Sequence, residues 1–306
     1  MKESLLSSKG ICSAFATVST VFVVNLWVNP SLAADPFRTT DVRQIGGKTE
    51  RAFDAIFKEG NYPAATRYVQ EAVTSEPNEP LALAMKASLA YTSKDWSTLE
   101  TYAKKTQSAA ETLTAKDALR GNLYTAVGHF LEGAAILSRE GAVSGAPKAL
   151  GKLRLVYEHL DKAEAISNTD PELNLLRGYM DLMLAVNLPF SSPEQGIERL
   201  KTHANPKYLA ARGLALGYRD LNKYTEAIQA VNSAIQATPG NPELYYLKAQ
   251  IQRKQGNSQK NQGLLQQAVQ NFDKALASKG QLPASLARQI QRERDRTQAE
   301  VASVSR

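Results

Sequence analysis

The sequence predicts an all-α fold: a solenoid of about six stacked antiparallel helix pairs with a C-terminal capping helix. Two observations carry this. Alanine and leucine dominate the 43% of residues that are apolar, which favours helix over strand. And one spacing recurs. Gly60-Asn61-Tyr62-Pro63-Ala64-Ala65 leads through Val69 and Ala72 to Pro77; Asn222-Lys223-Tyr224-Thr225-Glu226-Ala227 leads through Val231 and Ala234 to Pro239; Ala268 leads through Phe272 to Ala275. Each time a small residue is followed four on by an apolar one and three further on by alanine.

In chain order, the N-terminus reads as an export leader. Lys2 and Lys9 give a positive start that Glu3 weakens, Gly10 to Val28 is mostly apolar, Pro30 breaks the run, and Ser31-Leu32-Ala33 places small residues at a cleavage point. Residues 1–33 are expected to be removed, with the mature chain starting at Ala34 or Asp35 and residues 34–45 forming a flexible lead-in. The alternative is an uncleaved membrane anchor, which Ser13, Thr17, Ser19, Thr20 and Asn25 dilute. The only cysteine, Cys12, lies in this leader, so the mature chain can form neither disulfides nor cysteine-ligated metal sites. No Asn-x-Ser/Thr glycan acceptor with an allowed middle residue occurs. The formal charge is +7, or +6 without Lys2, Glu3 and Lys9. A basic chain can meet nucleic acid, anionic lipid or acidic protein; export argues against nucleic acid.

Residues 46–281 are the expected repeat array. Ala65, Val69 and Ala72 stand at i, i+4 and i+7, one stripe of a helix. Alanine in that stripe lets a neighbouring helix approach closely; the tyrosine opens the helix, and the proline cannot continue it. Tyr62, Ala65, Ala72, Pro77, Tyr224, Ala227, Ala234, Pro239, Ala268, Phe272 and Ala275 are therefore the predicted repeat-packing set. Strong units span 46–79 and 208–241, and a longer one spans 242–281. Fainter units fill 80–113, around Asp95-Trp96, Leu99 and Ala103, then 114–170, with Val156, Leu160 and Ala163, then 171–205. Gly141 to Pro147 reads as a loop that divides the array. Residues 282–306 read as a polar capping helix and tail, because the end of a stack must offer water a polar face.

This spacing resembles the tetratricopeptide repeat, a helix-turn-helix unit of about 34 residues. The family's first-helix pattern is only partly matched, best by Ala211, Leu214, Ala215 and Tyr218, then by Tyr245 and Ala249. The resemblance implies a superhelix with a concave groove lined by one stripe of each first helix. On that stripe fall Leu209, Arg212, Leu216, Arg219 and Asp220, then Glu243, Tyr246, Gln250, Arg253 and Lys254, with Tyr179, Met183, Tyr91, Asp54, Phe57 and Lys58 further back. Four cations around Tyr246 would suit an acidic peptide or C-terminus. The family's carboxylate clamp is not carried over, because Leu216 stands where an asparagine would be needed.

No catalytic constellation is visible. His129, His159 and His203 are not four apart in any pair, so no helical metal pair exists. Gly141-Ala142-Val143-Ser144-Gly145 lacks the glycine two before the serine that a hydrolase elbow requires. Neither cofactor nor metal is expected. The sequence therefore predicts a non-catalytic scaffold that binds a protein or peptide, acidic by the groove's charge. It would be exported to the periplasm, or to the thylakoid lumen in a photosynthetic source. The alternatives are a membrane-tethered assembly factor, if the leader stays, and an enzyme on a helical platform. Oligomeric state is left open.

Overall fold

A computed structural model describes residues 35–187 and 193–304. The expected leader, residues 1–33, lies outside the described residues, as do Leu188 to Ser192 in the 171–205 unit. Every long element among the described residues is an α-helix. The order is α1 (Gly47–Phe53), extended by a π-turn over Asp54–Lys58, α2 (Tyr62–Ser75), α3 (Pro80–Ser93), α4 (Trp96–Leu113), α5 (Ala118–Ile166), α6 (Pro171–Asn187), α7 (Glu194–Thr202), α8 (Lys207–Asp220), α9 (Tyr224–Ala237), α10 (Pro242–Gln259), α11 (Gln262–Ala277) and α12 (Ala284–Val304).

The predicted stripes are the packing surfaces. Ala65, Val69 and Ala72, Ala227, Val231 and Ala234, and Ala268, Phe272 and Ala275 are all fully buried. Tyr62 and Tyr224 are half-buried at the first positions of α2 and α9. Pro77 and Pro239 are corrected: both are exposed turn residues two positions past the ends of α2 and α9, so they stop the helix and pack nothing. Side-chain caps begin most helices; Asn61, Asp95, Asp117, Asn241 and Asn261 each accept a backbone N–H of the first turn. Such a cap contributes about 1 kcal/mol.

Two further expectations are corrected. Residues 141–147 are not a loop. The chain reverses at Gly141 alone, at φ 81 and ψ 167, and helix resumes at once. That conformation is open essentially to glycine only. The first arm of α5 (118–140) then runs antiparallel to the second (142–166): Glu132 pairs with Lys152, and Gly145 lies beside the Ile136 carbonyl. The array is not divided here, since all described residues belong to one compact unit.

Nor are residues 35–45 a loose lead-in. Phe37 and Ile45 are buried in the core, and Phe37 meets Phe53 edge-on with ring centroids 5.2 Å apart. The Asp35 carboxylate accepts the backbone N–H of Phe37 at 2.9 Å and of Arg43 at 3.2 Å. Arg38 pairs with Asp170, and Arg43 reaches Asp117 at 2.7 Å and Glu172 at 3.0 Å. This strap ties α1 to the starts of α5 and α6, using carboxylates remote in sequence that no local pattern reveals.

Six helix pairs followed by α12 thus bear out the solenoid. One apolar cluster runs from Phe37 and Phe53 through Leu175 and Leu200 to Leu209 and Ala210. The first helix pair and the strap before it therefore share one core with α6 and α8. Asn241 donates from Nδ2 to the Phe57 carbonyl at 3.3 Å, and Asn205 to the Phe37 carbonyl at 3.0 Å.

Candidate functional site

The residues expected to line the groove do share one face, and they are joined helix to helix. Arg212 on α8 pairs with Glu243 on α10 at 2.9 Å. One heptad on, Arg219 donates to Gln250 of α10 at 2.8 Å and pairs with its neighbour Asp220 at 2.8 Å. The same step repeats from α10 to α12. Tyr246 donates to Glu293 at 2.7 Å, and Arg253 grips Glu300 with two bonds of 2.9 and 2.5 Å. Gln250 also donates to Glu293, at 3.2 Å, and Lys254 pairs with Asp220 at 3.3 Å. Residues seven apart on one helix meet residues seven apart on the next because both present the same stripe.

These bonds set the electrostatics. Burial works against the charge of Arg212, but Glu243 and the nearby tyrosines more than offset it and hold the guanidinium above its usual value. Burial would raise Asp220, yet the hydrogen bond from Arg219 and its charge keep it low. The hydrogen bond from Arg253 keeps Glu300 below the ordinary glutamate range. The expectation of four free groove cations is corrected accordingly: Arg212, Arg219, Arg253 and Lys254 are each in an ion pair within the chain. Tyr179 is not exposed for a ligand either; its hydroxyl donates to the Leu209 carbonyl at 2.7 Å. The missing half of the pattern was Glu293 and Glu300. Their seven-residue spacing matches that of Tyr246 and Arg253, and was the available signal.

The first helix pair closes the middle of this face. Tyr62 donates to Glu243 at 2.9 Å, and burial together with that carboxylate raises its phenol. Tyr62, Glu243, Arg212 and Tyr179 stack as one polar knot beneath the tip of the first hairpin.

Open clefts among the described residues include two of substantial volume. One, of about 560 Å³, lies along the long α5 hairpin, lined by Tyr91, Phe130, Leu137, Leu150 and Leu153 among others. Both arms of α5 far exceed the 14 residues of α3, so their apolar faces run past the neighbouring helices. Tyr91 is 50% exposed, Leu137 40% and Leu150 61%. Tyr91 and Met183 belong to the stripe the repeat spacing predicts; Phe130, Leu137, Leu150 and Leu153 do not, because the reversal at Gly141 that brings the two α5 arms together leaves no periodic trace. The other cleft, of about 830 Å³, crosses the seam between α2–α4 and the start of α12.

His129 and His159 face one another across the α5 hairpin, ring centroids 5.7 Å apart. Burial, then Lys162 and His129, lowers His159. Among the described residues no group of three or more His, Cys, Asp or Glu is placed to hold a metal, and no helix is long and apolar enough to cross a membrane.

The geometry of α8 to α11 has a counterpart among known families. Residues 212–283 match the tetratricopeptide repeat. The repeat match begins at Arg212 and ends at Pro283, so it contains the whole α8–α10 ladder and stops short of α12. Among solved structures, the chain is similar to one in the crystal structure of the APC/C hetero-tetramer Cut9-Hcn1. That similarity has 16% identity and a TM-score of 0.34, over 74% of this chain and 46% of that one. The chain thus spans less than half the length of that protein. No curated protein matches it.

Proposed function

We propose that this chain is a non-catalytic scaffold that binds another protein through the apolar cleft of the α5 hairpin. One observation carries the reading: the groove cations are paired internally, whereas a row of large apolar side chains on α5 stays exposed. Exposed apolar rows of this kind mark interaction sites. Phe130, Leu137 and Leu150 are 38%, 40% and 61% exposed, so a partner that covers them gains only part of the about 1.5–3 kcal/mol that full burial of each such side chain contributes. The partner presents an amphipathic helix or apolar segment; ion pairs Glu132–Lys152 and Glu140–Lys148 at the rim set its orientation. Removal of residues 1–33 and work in the periplasm, or in a thylakoid lumen, belong to the same proposal, supported by the leader pattern.

A photo-crosslinker at Leu150, compared with one at Lys254, tests the cleft in the native cell. The expected result is one protein captured from Leu150 alone, with capture lost in Leu137→Asp and Phe130→Asp variants that melt like the parent. Equal capture by those variants would remove the cleft from the proposal.

A further inference from the structure

The seam cleft has a charge pattern unlike the rest of the concave side. Its walls are the start of α2, the α3–α4 turn and the start of α12, brought together only because the stack curls back on itself. Lys86, Lys94 and Arg288 line it, with Asp95 as the single carboxylate. Asp95 caps α4, accepting the Thr98 N–H at 3.0 Å, and the hydrogen bonds from Thr98 keep it ionised.

None of the three cations lies within ion-pair distance of a carboxylate among the described residues, although the charge of Lys86 helps to hold Asp95 low from further off. The Lys86 ammonium donates to the neutral Gln70 amide at 2.9 Å and lies 6.0 Å from the Tyr102 ring centre. Lys94 ends α3 in the left-handed conformation, φ 62, with its side chain exposed. Arg288 is exposed on the second turn of α12. Arg212, Arg219 and Arg253, by contrast, are all matched by an acid of the chain itself. Between the cations the floor is apolar: Ala90 and Leu282 are buried, with Leu89, Pro63 and Pro283 half-covered or exposed beside them. The Tyr62 hydroxyl, at the inner end, is already held by Glu243.

We propose that this seam cleft binds an acidic, extended segment of a partner protein, its carboxylates meeting Lys86, Lys94 and Arg288 and its apolar side chains resting on Leu89, Pro63 and Pro283. Charge complementarity selects the ligand: three unmatched cations around an apolar floor favour glutamate or aspartate interleaved with leucine-like residues over a bare polyanion. The site exists only while first and last turns are joined. It extends the scaffold reading to a second surface, and it stands or falls separately from the α5 cleft.

The test is fluorescence anisotropy with a short labelled peptide alternating glutamate and leucine, against a lysine–leucine peptide, a glutamate–serine peptide and a single-stranded oligonucleotide. The glutamate–leucine peptide is expected to bind best. Reversing all three cations in Lys86→Glu, Lys94→Glu and Arg288→Glu should weaken it by about tenfold, the scale of a few exposed ion pairs. Lys207→Glu and Lys223→Glu, elsewhere on the surface, should change nothing. A triple Gln variant guards against misfolding by charge reversal; it too should lose affinity, with an unchanged circular-dichroism melt. Equal binding by parent and variants, or a preference for the lysine–leucine peptide, overturns the proposal. Tighter binding of the oligonucleotide overturns it in favour of a general polyanion site. Equal affinity for glutamate–leucine and glutamate–serine peptides overturns the apolar floor's part in it.

Discussion

The Tyr62 phenol donates to Glu243 at 2.9 Å although 181 positions separate the two residues. This bond joins the first helix pair to α10 and makes the groove a closed seam. Tyr62→Phe should lower stability by about 1.5–3 kcal/mol, the range for a hydrogen bond to a charged group. A double-mutant cycle with Glu243→Gln in urea melts checks it. Strictly additive losses would mean that the bond does not hold the seam.

Gly141→Ala should cost about 1–3 kcal/mol, because alanine at φ 81 and ψ 167 is strained whatever the space around it. No side chain crowds the position, so backbone conformation alone is tested. Gly151→Ala, in open space on the second arm, is the control, expected to be neutral or stabilising by up to about 1 kcal/mol. Thermal melts of both variants separate a strained reversal from an ordinary helical site.

Ala227→Leu should overpack a fully buried site between α8 and α9 and cost about 1–3 kcal/mol. Glu226→Leu, on the exposed face next door, should be within about 0.5 kcal/mol of the parent. Equal urea midpoints would contradict the packing register.

Glu172 is fully buried among Arg43, Arg120 and the Tyr124 hydroxyl, which donates to it at 2.6 Å. Burial pushes its carboxyl up, and Arg120 and Arg43 oppose that. Glu172→Ala leaves Arg43 with Asp117 and Arg120 with Glu79, but takes away the acceptor of the buried Tyr124 hydroxyl and one charge facing both guanidiniums, and should cost about 1–3 kcal/mol. Hydrogen exchange should show the 35–45 strap opening in step with that loss. A strap that stays protected would mean Asp170 and Asp117 suffice to hold it.

Acid should loosen α12. Arg253 keeps Glu300 below its unfolded value, so the folded state holds this carboxylate ionised more strongly than the unfolded chain does. The contribution is fully present above the unfolded value of about 4.3 and is lost as pH falls through the lower folded value. Exchange at α12 amides should rise faster below about pH 4 in the parent than in Glu300→Gln, which lacks the titrating group. Identical pH profiles would sever the link between Glu300 and the cap.

Much was legible locally. Ala65, Ala227 and Ala268 are fixed by helical geometry, which acts over a turn or two and leaves a periodic trace in the sequence. The groove stripe was legible for the same reason: Arg212, Arg219, Tyr246 and Arg253 share the face their spacing predicts. The fate of their charges was not. A cation's partner can lie dozens of residues away, and Glu293 and Glu300 on α12 look like solvated surface until α12 is laid against α10. The strap fails to show for a similar reason, since Phe37 and Ile45 are too far apart to form a period.

By itself, then, the sequence determined most helices and their packing faces, the reversal at Gly141 excepted, because each follows from spacing within one helix and from proline, glycine and capping residues at its ends. Only the tertiary structure decided how tightly the stack curls. That curl is a sum of small rotations between successive pairs, set by side-chain volumes at every interface, and no single segment encodes it. From it follow the Tyr62–Glu243 seam, the internal pairing of the groove arginines, the cations left unmatched at Lys86, Lys94 and Arg288, and the apolar reach of α5 beyond its neighbours.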